Sequence, residues 1–316
     1  MTTDELREAL LFDRKNGYAR ITPAQRAEME TYCKGYMAFI DACKTEREAT
    51  AWAVAEAEKR GFHPFAPGMD AKPGDKIYYN NRGKAIALAV IGTEPLNKGA
   101  NICAAHEDSP RMDIKPNPLY EDSEIAYFKT HYYGGIKKYQ WPTIPLALHG
   151  VVYRKDGSVI TITIGEKDDD PVLMVSDLLP HLAADQMQKT AGQVIAGEQL
   201  NVILGTEPLE GEGSDLVKLH IMKWLNEKYG IVESDFLSAE LNVVPAGPCR
   251  EVGLDRSLIA AYGHDDRVCV YAELEALFNI PTPTKTAVCI LADKEEIGSV
   301  GVSGMLSQYF EYCMEM

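Results

Sequence analysis

The sequence predicts an α/β protein: an α/β core interrupted by a β-rich insertion. Three observations point there. Residues 1–62 carry helical patterning, the period turns strand-like from Lys76, and a strand–helix–strand rhythm returns after residue 254. The stretch from about 112 to 253 differs in composition, with prolines and tyrosines clustered over 116–145. At 316 residues the chain is long enough for more than one domain. The expected organisation is residues 1–111 as the first part of the core domain, 112–253 as an inserted domain, and 254–316 as the second part of the core.

Each element has a local reason. Thr22-Pro23 sets a capping side chain before a first-turn proline, and Thr45-Glu46-Arg47-Glu48 has the spacing of a capping box. The helix that follows aligns Ala49, Trp52, Ala53 and Ala57 on one face and stops at Gly61. Residues 77–79 and 85–91 flank the turn Asn80-Asn81-Arg82-Gly83. Residues 101–105 form an apolar run of the kind a buried parallel strand shows. Inside the insertion, residues 146–153 and 159–164 flank Lys155-Asp156-Gly157 as a hairpin, and a helix is expected over 214–229, ending at Gly230. Strands at 257–262 and 286–292 bracket a helix over 267–278, and residues 304–316 read as an amphipathic helix without a C-cap.

Composition narrows the function. The chain is 46% hydrophobic with aromatics throughout, which excludes a disordered protein. A net charge of −15 argues against nucleic acid, whose phosphates would be repelled. Seven cysteines, an odd number without a C-x-x-C pair, read as reduced thiols in a cytoplasmic protein. The start, Met1-Thr2-Thr3-Asp4-Glu5, lacks the basic and apolar regions of a signal peptide. No apolar run approaches the roughly 20 residues that span a bilayer, so a membrane partner is not expected.

The chemistry gathers at three strand ends. The run at 287–292 breaks into Asp293-Lys294-Glu295-Glu296-Ile297-Gly298-Ser299. Adjacent carboxylates repel, so something cationic usually holds them together. One Glu can ligate a metal while its neighbour serves as general base. In His106-Glu107-Asp108, strand alternation puts His106 and Asp108 on one face. Asp108 can then engage one imidazole nitrogen and leave the other for a metal. In Asp265-Asp266-Arg267, one carboxylate could bridge two metals while its neighbour pairs with Arg267. Each motif alone has a plainer reading. H-x-D is common, acids at a helix start favour the macrodipole, and a histidine such as His264 in a strand-to-loop turn is more often a hydrogen-bonded surface residue. Together, at the carboxyl ends of strands where open α/β sheets bind ligands, they outweigh those readings and suggest a two-metal hydrolase.

These residues resemble the aspartyl aminopeptidase family of co-catalytic zinc exopeptidases over nearly the whole chain. The match is specific at Ala105-His106-Glu107-Asp108-Ser109-Pro110-Arg111, Tyr132-Tyr133-Gly134-Gly135, Asp265-Asp266-Arg267-Val268-Cys269, and 293–299. The resemblance implies a mixed-sheet zinc-peptidase catalytic domain interrupted by a β-rich inserted dimerisation domain. It implies two Zn²⁺ per site, with Co²⁺ or Mn²⁺ as substitutes, peptide substrates, and a dimer-based homo-oligomer extending to a dodecamer. By the same resemblance His106 looks like a ligand of one zinc, Glu296 of the other, and Asp265 the bridge between them. Glu295 looks like the general base, and Asp108 the acid that orients His106. His181 resembles a histidine that the inserted domain offers to the neighbouring subunit's active site. Family members supply two further ligands, an Asp and a His, from beyond this endpoint; here no His follows His264 and no Asp follows Asp293. The expectation is therefore a metal-dependent aminopeptidase acting on N-terminal residues, acidic ones among them, whose 316-residue form is shortened and poorly active. Two alternatives stand beside it: another two-metal amidohydrolase, such as a carboxypeptidase or deacylase, and a non-catalytic assembly protein or inactive fragment with the same fold.

Overall fold

The structure, a computed structural model, describes residues 1–315. Contacts divide it into two units, Met1–Ala38 and a larger one from Phe39 onward. In the first, α1 (Thr3–Leu10) starts from a capping box between Thr2 and Glu5; α2 (Pro23–Ala42) begins there at the expected proline and ends in the second. No described helix is long and apolar enough to cross a membrane.

In the larger unit α3 (Glu46–Lys59) begins at the expected capping box. The Thr45 hydroxyl accepts from the Glu48 N–H at 3.3 Å, and the Glu48 carboxylate accepts from the Thr45 N–H at 3.0 Å. Such a cap stabilises a helix by about 1 kcal/mol. Ala49, Ala53 and Ala57 recur every four residues and are fully buried, so this stripe packs inward.

A five-stranded mixed sheet carries the first half of the fold. Its strands are β1 (His63–Pro64), β2 (Lys76–Asn81), β3 (Ala85–Val90), β4 (Asn101–His106) and, from far along the chain, β13 (Ala287–Ala292), in the order β1-β2-β3-β13-β4. β13 runs antiparallel to β3 and parallel to β4, with Ala292 opposite His106. That register brings the carboxyl ends of β4 and β13 side by side. β13 is buried along almost its whole length, as its apolar run requires. β4 differs from expectation: it is parallel, but residues 101–104 are exposed. The reason is position, because β4 is an edge strand paired only with β13 among the described residues.

From Arg111 the chain builds a second, antiparallel sheet. β5 (Arg111–Asp122), β6 (Ile125–Tyr133), β7 (Leu146–Tyr153), β8 (Val159–Ile164), β9 (Val202–Gly205) and β10 (Ala239–Pro245) align as β8-β7-β10-β5-β6-β9. Its apolar face closes on a cluster that includes Met112, Phe128, Leu146, Ile162 and Val243. α4 (Leu216–Tyr229) packs there, starting two residues later than expected because Asp215 is left-handed, and ending at Gly230.

Two expectations need correction in the last part. Residues 257–262 do not join the core sheet; β11 (Arg250–Val252) and β12 (Leu258–Ala260) form a separate two-stranded ribbon. Although Leu258, Ile259 and Ala260 are apolar, this three-residue strand pairs antiparallel with β11. The ribbon leads into α5 (His264–Asn279), whose regular part begins at Arg267 because Asp265 and Asp266 have non-helical angles. The terminal helix is also shorter than 304–316: α6 covers Tyr309–Glu315, while Gly304 forms a bridge with Asp293. Met316 lies outside the described residues.

Candidate metal centre

The strand alternation of β4 stops at its end, so His106 and Asp108 do not share a strand face as the sequence suggests. His106 looks outward, with its side chain 11% exposed. Glu107 turns inward and is fully buried, accepting from the Thr50 hydroxyl at 2.5 Å. Burial pushes the Glu107 carboxyl well above the usual carboxylate range, against the lowering effect of the Thr50 bond. Asp108 is buried again, because the chain leaves the strand and folds its carboxylate beneath the next loop.

The two nitrogens of His106 divide their work. Nδ1 lies 2.9 Å from the Asp108 carbonyl oxygen and 3.4 Å from its Oδ1. Nε2 lies 3.3 Å from Asp265 Oδ1 and 3.7 Å from Glu295 Oε2. Burial would lower the His106 pKa, but the hydrogen bonds to Asp108 and the nearby carboxylates outweigh it and raise the ring to about 9. A cation arriving at Nε2 would have to displace that proton.

Asp108 ties two loops together. Oδ1 accepts from the Glu295 N–H at 3.2 Å, and Oδ2 accepts from the Glu296 N–H at 3.1 Å and the Tyr133 hydroxyl at 2.7 Å. Burial alone would push the Asp108 carboxyl up; the bonds from His106, Tyr133 and the Glu296 N–H prevail and hold it below its ordinary value. Glu295 and Glu296 begin a short 3-10 turn after a left-handed Lys294, which swings both carboxylates toward His106. Burial and the acids around it push the Glu296 carboxyl up, with His106 opposing.

The third arm reaches the site from the ribbon. Ser109 donates its hydroxyl to the Asp265 carbonyl at 2.7 Å, and the Tyr262 hydroxyl donates to the Pro110 carbonyl at 3.0 Å. The Asp265–Asp266 peptide is cis. Arg267 does not pair with Asp266 as expected. It is fully buried, and its guanidinium donates to the carbonyls of Glu107 at 3.1 Å and Tyr262 at 3.3 Å. Gly263, at φ +83°, leaves room for it: a Cβ there would lie 1.5 Å from Arg267 Nη2. His264 accepts its plainer reading, with Nε2 at 3.1 Å from the Ile259 carbonyl oxygen.

The structure therefore brings His106, Asp265 and Glu296 to one point, with one ligand atom from each within 4.8 Å of the others. Glu295 stands at the same imidazole nitrogen. His181 is not part of this group; it is exposed on a turn at Pro180–Leu182. Tyr133 and Gly134, quoted in the sequence without a role, do reach the site. A cleft of about 400 Å³, lined by Ser109, Gly135, Trp141, Tyr262, His264 and Asp265, opens beside it.

The donor set suits zinc. Two ligands at about 2.0–2.1 Å from a tetrahedral ion stand roughly 3.3 Å apart. His106 Nε2 and Asp265 Oδ1 have that separation, 3.3 Å. Imidazole and carboxylate donors are also accepted by cobalt and manganese.

An α/β fold with a histidine and carboxylates gathered at adjoining strand ends belongs to the class of proteins able to hold a metal ion at a sheet edge. Comparison supplies the family: the chain belongs to the peptidase family M18, described as aminopeptidase I zinc metalloprotease, whose model matches residues 39–316. A probable M18 family aminopeptidase 1 from Clostridium acetobutylicum is 50% identical over 307 residues, covering 96% of this chain and 66% of the relative. The crystal structure of an M18 aminopeptidase from Thermotoga maritima superposes with a TM-score of 0.90 at 45% identity, covering 96% of this chain and 66% of that one. Aminopeptidase I from Clostridium acetobutylicum gives 0.88 at 46% identity, with 96% and 68% covered. The chain thus spans about two thirds of the length of the relatives it matches.

Proposed function

We propose that the protein is a metal-dependent aminopeptidase that removes N-terminal residues, acidic ones among them, from peptides. The observation that carries this reading is the meeting of His106, Asp265 and Glu296, with Glu295 3.7 Å from the same imidazole nitrogen. In it, His106 would hold one Zn²⁺ and Glu296 the other, with Asp265 as the carboxylate shared between them, and Co²⁺ or Mn²⁺ would serve as substitutes. When bound, the ions supply Lewis acidity toward the scissile carbonyl and acidify water. Glu295, the more exposed of the two glutamates, takes the proton from the attacking water and returns it to the leaving amine. Asp108 keeps the His106 ring oriented through Nδ1.

Assembly belongs to the same proposal. Residues 112–253 form a dimerisation domain that presents His181 to the neighbouring subunit, in a homo-oligomer built from dimers up to a dodecamer. The division into 1–111, 112–253 and 254–316 is supported by the sheets: β5 to β10 build one, while β1 to β4 and β13 build the other. A cytoplasmic setting is supported by the cysteines, all free among those described.

Residues 1–316 give each metal only two protein ligands under this assignment, where a catalytic zinc normally has three. The 1–316 polypeptide on its own is therefore proposed to be poorly active. A second reading is a non-catalytic assembly protein of this fold. The test is zinc content together with turnover of acidic and neutral aminoacyl substrates. Glu295→Gln should keep the wild-type metal content and lower whatever turnover exists by roughly 10²–10⁴-fold. Glu296→Gln should lose metal from one site. Equal metal loss in both variants sinks the division of roles, and a wild-type chain that takes up no zinc supports the assembly reading.

A further inference from the structure

The Tyr132-Tyr133-Gly134-Gly135 segment lies at the end of β6, in the second sheet, yet it touches the metal centre of the first. Tyr133 is buried, and its hydroxyl donates to Asp108 Oδ2 at 2.7 Å. Asp108 is the carboxylate that also receives the Glu295 and Glu296 N–H groups and faces His106. The Tyr133 ring is itself fixed from below. Arg111 lies over it at 4.1 Å, and Arg111 is held in turn by Glu46 at 3.0 Å. One residue on, Gly134 has φ +71° and little room for a side chain unless Glu296 gives way. A Cβ there would stand 3.0 Å from Glu296 Oε2, 3.1 Å from Glu296 Cβ and 3.4 Å from Pro110 Cα.

We propose that Tyr133 and Gly134 are positioning residues that seat the metal ligands from the second sheet: Tyr133 by fixing Asp108, Gly134 by giving Glu296 its place. This rests on the metal-site reading above. The physical reason is the buried carboxylate. Asp108 must keep two loops, separated by 187 residues, in one arrangement. An acceptor with two oxygens can tilt about its Cβ–Cγ bond, and the Tyr133 hydroxyl adds the third fixed donor that stops the tilt. The flat glycine surface then sets how far the Glu296 side chain can retreat. Metal affinity in the first sheet consequently depends on how the second sheet docks.

The test uses zinc affinity of the 1–316 chain, measured by chelator competition well below the melting temperature, with far-UV circular dichroism as a check on folding. Tyr133→Phe keeps the ring on Arg111 and removes only the hydroxyl. It should weaken zinc binding by about 10–100-fold, the usual cost of losing a group that orients a ligand. Gly134→Ala should push Glu296 aside and lower the number of ions bound. A merely structural role would shift the melting temperature and leave affinity and stoichiometry unchanged. Wild-type binding matched by both folded variants overturns this inference alone. A wild type that binds no zinc overturns the metal-site reading and this inference with it.

Discussion

Around the five-stranded sheet the interior is rich in charge, whereas the six-stranded sheet closes mainly on apolar side chains. Glu46, Glu107, Asp108, Arg267 and Asp293 are all buried at or near the first sheet, with Arg111, from the start of β5, reaching in to Glu46. Behind the second, Phe128, Leu146, Ile162, Leu200 and Val243 form one continuous cluster. The difference follows from what each sheet must do. A sheet that holds acids and a histidine at its strand ends needs compensating charge and hydrogen bonds beneath them, since an unpaired buried charge is costly. A sheet that only presents surfaces can rely on area removed from water. Each should therefore fail in its own way.

The largest effect is expected at Glu46. Its side chain is 2% exposed, 3.0 Å from Arg111 and 3.3 Å from Lys84. Burial would raise its pKa; Arg111 and then Lys84 reverse that and hold the carboxyl at about 2. Glu46→Gln removes one of the two carboxylates that hold the buried Arg111, leaving Asp113 at 2.8 Å, and also takes the charge facing Lys84; it should cost roughly 3–5 kcal/mol at pH 7. The sign is set by a depressed folded pKa. The stabilisation is present above the unfolded value near 4.5 and fades as pH falls toward 2. The gap between wild type and variant should therefore close in acid, as read by urea unfolding at pH 7, 5 and 3. A gap that stays constant would place the stabilisation elsewhere.

The second sheet supplies the contrast. Ile162 is fully buried in β8 against the apolar cluster, and Ile162→Ala should cost about 2–5 kcal/mol by lost transfer energy and cavity formation. Nothing in that loss titrates, so it should be equal at pH 7 and pH 5. A strong pH dependence would show that the apolar cluster is coupled to the charged interior.

How much of this was legible in the sequence depends on distance along the chain. The capping box at Thr45, the hairpin of β7 and β8, and the acids after β13 are local patterns, and all were readable. So was the placing of His106 and Asp108 two apart at a strand end. The edge position of β4 was not, because apolar content reports what a strand can bury and not how many neighbours it has. Residues 257–262 read as a core strand because Leu258, Ile259 and Ala260 mimic one, while their partner β11 lies in the stretch assigned to the insertion. Arg267 was paired with its neighbour in sequence, yet it reaches back 160 residues to the Glu107 carbonyl. Tyr133 and Gly134 stood in a motif without a role, since a hydroxyl on Asp108 and a glycine on Glu296 are through-space facts.

The smallest effect sharpens the comparison from the other side of neutrality. His149 of β7 is a buried titratable group of the second sheet that faces α3, with its side chain 3% exposed. Nδ1 lies 2.8 Å from Glu48 Oε1 and Nε2 lies 3.0 Å from Glu166 Oε1, while Lys44 stands 3.9 Å from Glu166. Burial would lower the ring's pKa, but the bonds to Glu166 and Glu48 prevail and raise it to about 9. With a carboxylate at each nitrogen, the imidazolium is the form that both bonds favour. A raised folded pKa contributes stability that is complete below the unfolded value near 6.5 and is lost as pH rises through 9. His149→Gln should therefore cost on the order of 1–3 kcal/mol at pH 6 and much less at pH 10. The two regions would then weaken at opposite ends of the pH scale, the Glu46 contact in acid and the His149 contact in alkali. Thermal unfolding at pH 6, 8 and 10 reads this directly. A difference between wild type and His149→Gln that does not shrink on the alkaline side would mean the ring is neutral in the native state, with one carboxylate carrying the proton instead.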